Sequence, residues 1–469
     1  MFTSPSVEQA YAQRHERYVT AMNRGTPDRI PMRFFFQEAA ARHCGKTAQD
    51  VALDYNLAFD VTRAMAVDTR ADAVMLNAIW SNYGVAKAAG WRYLYVPGVD
   101  VNMQSVLQFG EPANDGDCFL HIEEYDEFID DPTAFIATKW FARNTLRMAA
   151  PGRPTTFAHN VSLMGGAMAY ANYMNAFGPA SHKLKYEAGV VSANSGMIKA
   201  PLDLLADKFR GYANLAVDTI ERPEQVLRAC EALMPHVLAN ALGAADPDKQ
   251  VPITLWAHRG CVPFFSQQTF DTIFWPTLKP VLEAVIAQGR QVLFYAEGNW
   301  ERHYDALLTL PEGGIIYHLD KGDPALAART LKPKFALSGG VSYDVLARGT
   351  PDSVRAHLKE LFAQVKDGGG YILDATALML SDVQSQNVLA AAEYTMEHGV
   401  YSQSSAALPR GAVTSQTMPQ GKRPPGVCRP WQEEQAGYRA LSGDVAAVEA
   451  AYRAVDAGPY NYLWTTVLW

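Results

Sequence analysis

Short apolar runs of six to eight residues recur along this chain, and longer amphipathic stretches separate them. The runs are IPMRFFF (30–36), AVMLNAIW (73–80), TTFAHNV (155–161), PITLWAH (252–258), QVLFYAE (291–297), GIIYHLD (314–320), KFALSGG (334–340) and YILDAT (371–376). Helices are expected at 6–24, 203–220, 223–243, 269–288, 351–366 and 384–398, where apolar residues recur at helical spacing. Eight buried strands alternating with helices are what a (β/α)8 TIM barrel requires. A doubly wound open sheet reads similarly, but no glycine fingerprint for a dinucleotide follows the first strand.

The spacing places the barrel at 1–401. An insertion after the second strand (81–125) has Gly, Asn and Asp turns and predicts a hairpin or lid. Residues 402–432 are rich in Ser, Pro, Gly and Gln and read as an extended linker. The last part, 433–469, predicts a helix near 442–456 and then the aromatic tail GPYNYLWTTVLW. That tail is too apolar for water. It is expected to pack on the barrel or on a second subunit, and closing the active site is a further role open to it.

Composition narrows the function. The 469 residues are 48% hydrophobic and 19% charged, so a large core can be buried. A formal net charge of -8 argues against nucleic acid or an anionic membrane as partner. Five scattered cysteines without a CxxC pair argue against a disulfide scaffold. The chain opens without an apolar signal segment and has no run of membrane-spanning length, so a cytoplasmic protein is expected.

Five stretches resemble the uroporphyrinogen decarboxylase superfamily: NRGTPDRIPM (23–32), PLDLLADKFRGY (201–212), HRGCVPFFSQQTFDTIFWPTLKPVLEAVIAQG (258–289), FYAEGNW (294–300) and KDGGGYIL (366–373). The resemblance covers roughly residues 20–400. It implies a barrel with its cleft at the C-terminal strand ends. It also implies either decarboxylation of tetrapyrrole carboxylates or methyl transfer to or from corrinoids, thiols or folate, with a homodimer as the family habit.

The residues choose between these branches. The family's decarboxylases carry paired arginines after the first strand, where this chain reads FFFQEAAARH (34–43), and an aspartate after the second, where it reads LNAIWSN (76–82). The thiol-alkylating branch binds zinc through His-x-Cys after the fifth strand and a later Cys. Here those places read Tyr295-Ala296-Glu297 and ATALML (375–380). The nearest branch is the one that demethylates small methoxylated, typically aromatic, compounds through a corrinoid, free or on a partner protein. Tetrahydrofolate is the methyl partner for the reverse direction. A decarboxylase or other lyase acting on a small carboxylic acid is the alternative, and a catalytically idle binding subunit the third.

Strand ends in a barrel converge on one cleft. Glu297 ends an apolar strand. Burial beside Phe294 and Tyr295 would keep its carboxyl protonated as a general acid, or it would ligate a metal, zinc for instance, with His258. A carboxylate hydrogen-bonded to backbone across the barrel mouth is the structural alternative. Asp320 would be a second acid and Tyr295 a phenolic donor. Arg259, Asn299, His318, His159, Asn160 and Asp374 are candidates for binding substrate or cofactor. Gly339 and Gly340 would offer backbone N–H groups to a phosphate or cofactor tail.

Overall fold

A computed structural model describes residues 1–468 except 77–82, 93, 104, 106, 107, 111, 113–117, 146, 262, 414–417, 420, 422, 423 and 428. The structure is mixed α/β with parallel sheets. Helix α1 (Pro5–Met22) opens the chain; the Ser4 side chain caps it and Pro5 occupies its first turn. Strands β1 (Arg33–Phe34) and β2 (Ala73–Val74) follow. The insertion carries a helix at Tyr83–Ala89 and an antiparallel pair, β3 (Leu94–Tyr95) with β4 (Gln108–Phe109). The hairpin predicted there is present. The expected strand end at 77–80, and the position of the family aspartate, lie outside the described residues.

After the insertion come β5 (Val191–Ser192), β6 (Met197–Lys199), β7 (Ile253–Ala257), β8 (Val292–Asn299), β9 (Ile315–Lys321), β10 (Ala336–Val341) and β11 (Tyr371–Ala375). One sheet runs β1-β2-β5 and the other β6 to β11 in sequence order, with every pairing parallel. A parallel bridge between Met32 and Leu373 brings β1 beside β11. β5 and β6 are successive parts of one extended stretch: β5 faces β2 and β6 faces β7. That order is compatible with a (β/α)8 barrel. All five residues of β7 are buried, which is why its sequence reads as a continuous apolar run rather than an alternation.

One predicted strand is wrong. TTFAHNV begins helix α2 (Phe157–Tyr186), where Thr156 is the N-cap and exchanges hydrogen bonds with His159 in a capping box. The threonines that suggested a strand are a cap. The strand at this place in the order is VVSANSGMIK (190–199), interrupted at Ala193–Gly196. Gly196 has φ +64°, and a Cβ there would sit 2.5 Å from the Ala241 carbonyl oxygen.

The space inside the strands is packed by Phe35, Trp256, Leu293, Tyr295, Ile316 and Ile372, with Tyr18 and Met22 of α1 against them. A polar knot crosses this interior. Arg33 Nη2 lies 2.9 Å from Asp374 Oδ2, 3.0 Å from Ser338 Oγ and 3.1 Å from His318 Nδ1. Helix α3 (Pro223–Gly243) covers the outside. The tail is not a short helix plus an extended end. It is one helix, α4 (Val445–Leu468), running through Pro459. Its aromatic end docks on α3: Trp464 stacks on His236 with ring centroids 4.5 Å apart, and the Tyr460 hydroxyl lies 2.9 Å from His236 Nδ1. Among the described residues no helix is long and apolar enough to cross a membrane.

Candidate functional site

A cavity of about 1050 Å3 opens at the C-terminal ends of β2, β6, β7, β8 and β9. His258 and Arg259 enter it just after β7, Glu297 and Gly298 from the end of β8, and Asp320 and Lys321 from the end of β9. Phe109 and Gly110 reach it from the inserted hairpin. Tyr170, Met174, Phe177 and Ser181 recur at four, three and four residues on α2, which puts them on the helix face turned to the cavity.

His258 and Glu297 form a pair. Nδ1 of the imidazole lies 2.7 Å from Oε2 of the carboxylate, and Nε2 lies 3.9 Å from Asp207 Oδ2. Burial disfavours the charged imidazole, but Glu297 outweighs it, with help from Asp207, and the pKa of His258 is raised. The Glu297 side chain is 38% exposed and turned to its partner. The expectation that burial beside Phe294 and Tyr295 isolates this carboxyl is therefore corrected: it is partly exposed and paired with His258.

Asp203 holds the loop that carries His258. Fully buried, it accepts the backbone N–H groups of His258 and Arg259, each at 2.9 Å. Burial pushes its carboxyl up to about 6, against the pull of the His258 charge. Asp207, one turn further along, lies 2.7 Å from Lys199 Nζ and 3.3 Å from Arg259 Nη2. Burial would raise its pKa, but the charges of Lys199, His258 and Arg259 hold it below the usual carboxylate range. Residues 205–210 form a wide π-type turn, a local distortion common at functional sites. Lys208 sits in that turn with its ammonium 5.5 Å from the centre of the Phe109 ring. Burial, with Lys199 adding like-charge repulsion, pushes its pKa down to about 7. The Arg259 guanidinium stacks over the rings of Tyr212 and Phe264 at 4.9 and 5.1 Å.

Lys199, Asp203, Asp207 and Lys208 were absent from the sequence-derived candidates. Their signal was present: PLDLLADKFRGY directly follows a strand end. With the third strand placed at 155–161, that strand end was not recognised.

Other candidates lie elsewhere. His159 caps the first turn of α2 and Asn160 is exposed beside it, so neither stands at a strand end. Tyr295, His318 and Asp374 are buried inside the strands rather than lining the cavity. Tyr295 stacks on His318 with ring centroids 3.8 Å apart. Burial, followed by the Arg33 charge, lowers the pKa of His318 well below its ordinary value. Asn299 caps a turn by accepting the Glu301 N–H at 2.9 Å. Gly339 and Gly340 both have φ +84° within β10 and do not line the cavity. A Cβ on Gly339 would sit 2.5 Å from the Leu319 carbonyl oxygen, so that glycine answers to strand packing. Asp320 accepts the Gly298 N–H at 2.7 Å, and burial raises its pKa.

The donors do not make a zinc centre. Among the described residues no group of three or more His, Cys, Asp or Glu side chains could hold a metal ion. His258 commits Nδ1 to Glu297. The nearby Cys261 is buried, which pushes its thiol up to about 11 and away from the thiolate that zinc prefers.

Residues 180–398 match the family model for uroporphyrinogen decarboxylase (URO-D). The stretches at 201–212, 258–289, 294–300 and 366–373 fall inside the match; 23–32 and α4 fall outside it. Among solved structures, a methyltransferase from Methanosarcina mazei superposes with a TM-score of 0.53 at 14% identity, over 81% of this chain and 97% of that chain. A likeness at that identity is one of fold. A search of curated proteins finds no match.

Proposed function

Because residues 180–398 belong to the uroporphyrinogen decarboxylase superfamily, we propose that the chain is a (β/α)8-barrel methyltransferase. It would move a methyl group between a methoxylated, aromatic substrate and a corrinoid, free or on a partner protein. The observation that carries this reading is the His258–Glu297 pair on the cavity wall. Cleaving a methyl ether releases an alkoxide or phenoxide, and that oxygen needs a proton in the transition state. His258, with its pKa raised, holds one at the edge of the cavity. Glu297 fixes the ring and stabilises its charged form, a contribution of about 10²–10⁴ in rate for a well-placed acid. Asp203 positions the imidazole through the backbone, and Lys199 with Arg259 keeps Asp207 ionised beside it. A corrinoid would supply the nucleophile that accepts the methyl group. If the reaction runs the other way, from a methyl-corrinoid, tetrahydrofolate would accept the methyl group.

The test is to mix the protein with reduced cobalamin and a series of methoxylated aromatics and follow the absorption of methyl-Co(III). Its appearance with native protein but not with His258→Ala supports the reading. Absence across the series removes it. The gathering of Lys199, Lys208 and Arg259 on one wall favours a second reading, a lyase acting on a carboxylic acid. Release of CO2 from such an acid would select it.

A further inference from the structure

Helix α4 lies outside the family match, yet it builds part of the cavity. Asn461, Thr465 and Leu468 line the space; they stand at i, i+4 and i+7, so one stripe of the helix faces the ligand. The adjoining stripe, Tyr460, Trp464 and Val467, has the same spacing and is buried. Trp464 is fully buried, stacked on His236, with its indole N–H 3.1 Å from Thr133 Oγ1. The helix end is therefore held firmly enough to shape what it touches. Thr465 is tied into the wall, with its Oγ1 3.0 Å from the Tyr170 hydroxyl and 3.4 Å from Asn240 Nδ2. Asn461 is half-buried at the edge of this group.

The cavity thus differs from place to place. Lys199, Lys208 and Arg259 gather on one wall around Asp207, with Lys321, Glu297 and Asp320 at the strand ends, so cations outnumber carboxylates there, while α4 and Asn240 contribute neutral hydrogen-bonding groups and α2 contributes Met174 and Phe177. A volume of about 1050 Å3 stands at the top of the range for small-molecule sites, roughly 300–1,000 Å3. That is more room than a single methoxylated ring fills.

We propose that the C-terminal half of α4 is a wall of the ligand site and sets the size of ligand admitted. The ligand class is an elongated amphipathic molecule, anionic at the Lys199–Arg259 wall, aromatic along α2, and neutral and hydrogen-bonding at Asn461. The inference rests on reading this cavity as the substrate site, not on methyl transfer.

The probe is 8-anilinonaphthalene-1-sulfonate, which is anionic, aromatic and larger than one ring. Native protein should bind it saturably with a rise in fluorescence. Asn461→Phe should weaken binding at least tenfold, while Val448→Phe, on the exposed half of α4, should leave it unchanged. If Asn461→Phe does not fold, Asn461→Cys keeps the side chain small. The probe should then slow alkylation of the introduced thiol by N-ethylmaleimide, with native protein as control for the other cysteines. Failure of native protein to bind, equal affinity after Asn461→Phe, or a thiol left unprotected would each overturn the proposal. Methyl transfer fails separately: probe binding that depends on Asn461, without methyl-Co(III) formation, keeps this wall and removes that chemistry.

Discussion

Asp203 Oδ2 accepts the backbone N–H of His258 at 2.9 Å, so a fully buried carboxyl on one chain segment fixes an imidazole on another. The aspartate follows β6 and the histidine follows β7. The bond acts across neighbouring strands at the place where their ends open into the cavity. It sets the direction from which His258 meets Glu297, and two expectations concern this arrangement.

Replacing Glu297 with Gln removes the largest influence that raises the His258 pKa and leaves burial to lower it. The limb of the pH–rate profile that requires protonated His258 should move to lower pH. His258→Ala should reduce turnover by about 10²–10⁴. Methyl transfer measured from pH 5 to 9 tests both. A profile unchanged in Glu297→Gln would remove the pair from the mechanism.

Asp203 itself should make stability depend on pH. Its folded pKa, about 6, stands above the ordinary value of 3.8, so the folded state holds this proton more tightly than the unfolded one. That contribution is complete below pH 3.8 and is lost as pH rises through about 6. That difference corresponds to about 3 kcal/mol at most. Asp203→Asn should flatten this part of the stability profile, read from urea unfolding at pH 4, 5, 6 and 7.

Arg33 and Asp374 are both buried and 2.9 Å apart. Removing the cation alone strands a carboxyl that burial already pushes up to about 7. Arg33→Leu should cost about 3–5 kcal/mol, and adding Asp374→Asn should recover part of that loss. Equilibrium unfolding of the single and double variants decides. Equal stability of Arg33→Leu and native protein would mean that the ion pair contributes nothing.

Gly298 has φ +86°, and a Cβ there would lie 2.5 Å from Cys261 Sγ. Gly298→Ala should destabilise by about 1–3 kcal/mol from backbone strain alone. It should also disturb the N–H bond to Asp320. Adding Cys261→Ala should relieve the contact but not the strain, so thermal unfolding should show partial rescue. Full rescue would place the cost in the sulfur contact alone.

Much of the fold was legible because buried parallel strands cannot hide. ITLWA and the runs near 292–298, 315–319 and 371–375 carry apolar side chains on both faces. The third strand escaped because Asn194, Ser195 and Gly196 break its apolar run, while Thr155, Thr156 and Phe157 imitate a strand in a helix cap. That error displaced His159 and Asn160 into the candidate site and left Lys199 and Asp207 out. His258 and Glu297 were placed at neighbouring strand ends because their strands were read correctly. Their hydrogen bond was not legible, since side-chain direction depends on a loop held by Asp203. The inward polar residues of the strands, His318 and Asp374, look the same in sequence as residues at the mouth. Only register distinguishes them, and a shift of one or two positions exchanges core for cavity.

The Arg33–Asp374 contact also bears on how the protein is born. The two residues are 341 positions apart, so a guanidinium destined for the driest part of the molecule leaves the ribosome long before its counter-charge has been translated. Until then the first strand lacks the neighbour that satisfies it. An emerging chain must keep Arg33 hydrated and leave the sheet open along that seam.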